Sequence, residues 1–125
     1  EAALRAAHFS AGANPNNMTF TTGVGHRYPR APLHIDSRVT GQDPPVGISV
    51  YGPSDPAGGF GFNNWVHTWH LQDVRPPSTT WPAAEGYVDM YLWPAMNEYT
   101  VHQNLGPTSF YWGFLAARAD LSESN

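Results

Sequence analysis

Apolar and polar positions alternate without a sustained period through most of this chain, and regular patterns stand only at its two ends. Residues 1–11 (EAALRAAHFSA) are alanine-rich and predict a helix. Gly12 reads as its stop, and Asn14-Pro15 confirms the break, because the residue before a proline is driven out of the helical region. Met18–Thr22 (MTFTT) is short and β-branched, a strand or extended segment. From Gly23 to Trp81 glycine, proline and asparagine punctuate the chain every few residues. Within that stretch Gly47–Tyr51 (GISVY) reads as a short strand, and Asn63–Val74 as a short helix capped by Asn63 or Asn64. Asn97–Asn104 predicts a helical turn or more. Pro107 then suits the first turn of a helix that continues through Thr108–Leu121.

That last helix is unusual. Phe110, Tyr111, Trp112, Phe114, Leu115, Ala116 and Ala117 cover most of its circumference, the pattern of a helix buried on most sides. A chain of 125 residues with so much loop can hardly bury it completely, which suggests a part of something larger. Glycine and proline number twelve each and aromatics reach 14%, too aromatic for a disordered chain. Long ordered loops built around rings are the expectation, and such loops usually serve function.

Charge narrows the partners. Net charge is -4, with arginine as the sole strong base, so the basic stripe that nucleic acid calls for is missing. No apolar run is long enough to span a membrane, and the opening EAALRAAHF reads as mid-helix rather than as a leader. Without cysteine there is neither a disulfide nor a thiolate metal site.

The chemistry concentrates between Tyr87 and Leu105. Glu98 sits there among Tyr87, Tyr91, Trp93, Asn97, Tyr99 and Asn104, with few other charges. A carboxyl group enclosed by aromatic rings favours its protonated form, as the general acid of glycoside hydrolysis requires. The plainer alternative is a solvated glutamate near a helix start. His67 and His70 share a helical spacing, yet two histidines need a third ligand from elsewhere to hold a metal, and no HExxH is present. We therefore expect no metal and no cofactor. Gly23–Arg38 (GVGHRYPRAPLHIDSR) gathers histidines, arginines and a tyrosine into a glycine- and proline-punctuated loop, either a solvated surface loop or one facing a ligand. The absence of G-x-S-x-G argues against a serine hydrolase. Trp65, Trp69, Trp81 and Trp93 lie in loop-like sequence, where tryptophan stacks on flat ligands and sugar faces or packs a core.

Three segments together resemble the C-terminal part of a glycoside hydrolase family 9 (cellulase family E) catalytic domain. The first is Gly12-Ala13-Asn14-Pro15 followed by Met18–Gly25 (MTFTTGVG). The second is Pro32-Leu33-His34 with Asp36-Ser37-Arg38, then Pro45-Val46-Gly47 and Tyr51-Gly52-Pro53. The third is the most specific: Tyr87, Asp89, Glu98, Thr100 and Asn104 match the family's signature in type and spacing. Three positions depart from the pattern. Pro94 replaces its second aromatic, with Trp93 adjacent; Leu105 replaces its small last residue; and Ile35 stands where the loop's arginine would be, with Arg38 nearby.

The resemblance implies a mainly α chain with long ordered loops, the C-terminal segment of an (α/α)6 barrel. Residues 1–125 would then be one incomplete segment: helix 1–11, active-site loops 12–96, and an acid-bearing segment with the final helix over 97–121. It implies Glu98 as general acid and His34, Arg38, Tyr91 and Trp93 as substrate contacts. Asp89, Asn97, Thr100 and Asn104 would support them. Family members invert the anomeric carbon, which takes a second carboxylate about 6.5–9.5 Å from the acid to activate water. The family's base motif has no match in this chain. A second polypeptide supplying the rest of the barrel, or self-association, is therefore implied, together with a β-glucan or cello-oligosaccharide substrate and an extracellular or periplasmic location. The alternative is a non-catalytic carbohydrate-binding or self-assembling structural protein derived from that fold.

Overall fold

The alanine-rich start folds as expected into α1, Ala2–Ser10. The structure, a computed structural model, describes residues 1–55 and 69–123. Past α1 the chain turns as the asparagine-proline pair requires. The Asn14 side-chain amide donates to the carbonyls of Phe9 and Met18, both at 2.7 Å, and so ties the helix end to the segment that follows.

Met18–Thr22 is wholly buried and bends at Met18 and Phe20. It runs antiparallel to residues 47–51, but the pairing is too brief for a named strand and reduces to the bridge between Thr21 and Ser49. Backbone bonds from Thr22 N to Ile48 O and from Val50 N to Phe20 O flank that bridge. The expected strand at Gly47–Tyr51 is thus one rung of a ribbon. Residues 96–98 add on its far side, where Tyr51 N donates to Glu98 O at 2.9 Å and Gly52 N to Met96 O at 3.0 Å. Gly52 permits this approach. Its φ is +83°, and a Cβ there would meet the Phe20 ring at 3.3 Å.

Two apolar clusters hold the loops. Met18, Phe20 and Val50 form one; Leu71, Trp93 and Met96 form the other. Tyr87 packs against both and meets Phe20 edge to face at 5.2 Å.

Helix α2 spans Ile35–Thr40, with His34 as its N-cap and Gly41 closing it in the left-handed region. A single 3₁₀ turn covers Ser78–Thr80. Helix α3 is Pro94–Asn97, with proline at its start, where a missing N–H costs nothing. The expected helical turn over 97–104 is therefore displaced. Glu98 leaves α3 in an extended conformation, and Thr100 caps a new helix, α4, Val101–Gln103. A π turn over Asn104–Thr108 leads into α5, Ser109–Glu123. Pro107 thus lies inside this wider turn rather than opening a helix. Proline has no N–H to offer a regular ladder, and a π turn accommodates the gap. The Ser109 hydroxyl meanwhile donates to Asn104 O at 2.7 Å.

Helix α1 lies against α5. The ribbon meets α5 through one buried hydroxyl: Thr21 Oγ1 bonds Ser49 Oγ, the Tyr111 hydroxyl and the Trp112 indole N–H. The chain is mainly helical, as expected, with long loops packed about two small cores. Half of the expected helix over Asn63–Val74, including His67, lies outside the described residues, and the described half corrects the expectation: past Trp69 the chain from His70 to Val74 goes through turns, as Val74 N bonds back to Leu71 O at 3.1 Å.

Candidate active site

The loop carrying His34, the ribbon carrying Tyr51 and the segment carrying Glu98 meet through backbone bonds. Leu33 N donates to Asn97 O at 2.8 Å, one residue before each side chain of interest, and Tyr51 N donates to Glu98 O. The His34 ring stacks on Tyr99 at 6.4 Å with an interplanar angle of 26°. These contacts bring His34, Tyr51, Glu98 and Tyr99 to one neighbourhood.

Glu98 itself is exposed. Among the described residues its carboxylate has neither a hydrogen bond nor an ion pair. The aromatic enclosure expected from the sequence is therefore not supplied by the described residues. Tyr87 and Trp93 turn inward to the cores, and the carboxylate faces outward. It is free to meet a ligand or a second polypeptide.

Each residue expected to support the acid makes a definite bond. The Asp89 carboxylate accepts from Arg30 N at 2.6 Å and from Ala31 N at 2.9 Å, clamping the base of the His34 loop to the acid-bearing segment. Asn97 is fully buried. Its amide donates to Val88 O at 2.8 Å and to Trp93 O, and its oxygen accepts from the Tyr87 hydroxyl at 2.8 Å. Thr100 Oγ1 accepts from Gln103 N as the cap of α4. Asn104 pairs with the Ser49 peptide in both directions, accepting its N–H at 2.7 Å and donating to its carbonyl at 3.2 Å. Asp89 and Asn104 cross-link distant loops, whereas Asn97 and Thr100 brace the backbone on either side of Glu98.

The expected sugar contacts divide. His34 is half-buried and holds its ring through Nδ1, leaving Nε2 without a partner among the described residues. The Arg38 guanidinium lies over the Tyr91 ring at 3.2 Å from its centroid, a cation–π pair beside a small cavity of about 180 Å³ shared with Arg30 and Pro32. Trp93 corrects the expectation. It is 0% exposed at the centre of a core cluster, so it presents no face to a sugar. Leu71 and Met96 claim it for packing, and loop-like flanks do not distinguish that role from a stacking platform.

Two phenols are shifted upward. Burial raises Tyr87, aided by the charge and hydrogen bonding of Asp89. Burial also raises Tyr99, with a smaller contribution from the Asp36 charge. No three histidine, aspartate or glutamate side chains converge as a metal site among the described residues. Ser37 is the contact that the sequence reading missed. Its signal was the three-residue step from His34, the distance at which a cap meets the first helical turn. Comparisons of the chain with protein-family models, characterised proteins and solved structures found no match.

Proposed function

We propose that this chain is the acid-bearing part of an inverting β-1,4-glucan hydrolase, the C-terminal segment of an (α/α)6 barrel of the glycoside hydrolase family 9 type. The observation that carries the reading is the exposed Glu98 carboxylate, unpaired among the described residues, on a backbone frame shared with His34 and Tyr51. Each polar residue of the resembling signature braces that frame. A general acid must reach the leaving glycosidic oxygen while its support stays rigid, and this arrangement answers both needs. Glu98 would protonate that oxygen, and His34 would hold a sugar hydroxyl beside it. Arg38 and Tyr91 would form a flank further out. The base that activates water would come from a second polypeptide facing Glu98; the working enzyme would then be an assembly, and the family resemblance would make it extracellular or periplasmic.

A second reading rests on the same bonds. Asp89, Asn97, Thr100 and Asn104 are all engaged by the fold itself. Such a frame would equally serve a carbohydrate-binding or structural protein without turnover.

The test uses the chain purified under native conditions with whatever polypeptide remains bound, supplied with soluble cello-oligosaccharides. Cleavage with inversion at the anomeric carbon is expected. Glu98→Gln should lower kcat by about 10²–10⁴-fold, the usual contribution of a positioned acid, and leave oligosaccharide binding intact. Turnover of the Gln variant at the parental rate rejects Glu98 as the acid. Binding without cleavage in the parent selects the second reading.

A further inference from the structure

We infer that Ser37 is a positioning residue that fixes His34 as the neutral Nε2–H tautomer, making its outward nitrogen a hydrogen-bond donor. The argument begins with a backbone amide, which can only donate. Ser37 N donates to His34 Nδ1 at 3.2 Å, as the first turn of α2 closes on its cap. An Nδ1 that accepts from an N–H carries no proton, so the proton of the neutral ring resides on Nε2. Ser37 Oγ lies 2.6 Å from the same Nδ1 and 3.5 Å from Asp43 O; with the Nδ1 lone pair already defined by the amide, its single proton goes to the nearer ring nitrogen. Two donors from one residue thus converge on Nδ1. Stacking on Tyr99 fixes the plane of the ring.

The consequence concerns what His34 offers a ligand. Nε2 has no partner among the described residues, and it presents N–H rather than a lone pair. It can donate to a hydroxyl or ether oxygen. It cannot take a proton from water through that nitrogen, so His34 does not replace the missing catalytic base. That it donates to a sugar oxygen rests on the proposed function; the tautomer does not.

The experiment is long-range ¹H–¹⁵N correlation spectroscopy of the histidine rings in the full chain at neutral pH, with His34 assigned by a His34→Gln variant. The expected pattern is a protonated Nε2 and an unprotonated Nδ1. Ser37→Pro removes both donors from the first helical turn, where the backbone N–H has no intrahelical acceptor to lose. It should raise the Nδ1–H form several-fold, to a readily measured share. Ser37→Thr keeps both donors and should match the parent. A protonated Nδ1 in the parent overturns the inference, as does a tautomer ratio unmoved by Ser37→Pro. Soluble cello-oligosaccharide is then added to the parent. A shift confined to the Nε2–H signal supports the sugar contact. If the tautomer is as stated and the sugar leaves it unmoved, the β-glucan reading fails for this site and the role of Ser37 stands.

Discussion

Tyr87 shows how one side chain can serve both cores and the site. Its ring touches each apolar cluster, and its hydroxyl donates to the Asn97 oxygen directly before Glu98. Its ionisation is raised above the ordinary 10.0 by burial first and by Asp89 second, so the folded chain keeps a proton that the unfolded chain releases near that pH. The sign follows from linkage. The folded state binds more protons than the unfolded state once pH passes the unfolded value, so this contribution is complete below about pH 10 and declines as pH rises further. Melting temperatures between about pH 9 and pH 11 should therefore fall more steeply for the parent than for Tyr87→Phe. At neutral pH the Phe variant should be the weaker by about 1–3 kcal/mol, because the buried Asn97 oxygen loses its donor. Parallel alkaline slopes in the two proteins would refute this account of Tyr87.

Between elements, the joints are made by short polar side chains that take the place of strand pairing. Asn104 completes the hydrogen bonds of the Ser49 peptide, while its amide also reaches Thr100 O at 3.0 Å. Gln103 Nε2 donates to Val50 O beside it. Helix α4 and the π turn are thereby fastened to the ribbon. Asn104→Ala should leave the buried Ser49 N–H unpaired and cost about 1–3 kcal/mol, read as a lower urea midpoint at unchanged slope. Asn104→Asp keeps the acceptor and should cost less; equal midpoints for Ala and the parent would rule out the clamp. Much of this level was legible in the chain itself. The alanine run and Asn14-Pro15 bound α1 correctly, since propensity and proline sterics act locally. Pro107 misled because proline most often opens a helix, whereas here the true start was Thr100, a cap three residues before Gln103. Trp93 misled because its burial depends on Leu71 and Met96, contacts that no local pattern reports. The spacing that singled out Asp89, Glu98 and Asn104 did locate one joined region. Its cross-links to Arg30, Ala31 and Ser49 arise only when distant loops meet.

For the molecule as a whole, the decisive feature is apolar surface that remains uncovered. Val101, Leu105 and Phe110 are 66%, 75% and 73% exposed. Their spacings are four and five residues, and the π turn between the last two absorbs the extra one, so all three lie along one face. On the next turns Tyr111, Trp112, Phe114 and Leu115 are only half-buried, although the sequence pattern is that of an enclosed helix. Apolar stripes of this kind can serve as interaction surfaces. In the barrel reading it is where neighbouring helices of the second polypeptide would pack. Sedimentation velocity and native mass spectrometry should then find the parent chain self-associated or bound to a larger partner. The pair Leu105→Glu and Phe110→Glu places two charges on the stripe and makes no change in either core. It should shift the population toward the 13.7 kDa monomer, with helix content by circular dichroism retained. A parent that stays monomeric as its concentration rises, and that binds no partner from its source, would mean that the stripe is ordinary surface. The barrel and the catalytic assembly would then fall together, leaving Glu98 with no base to work against.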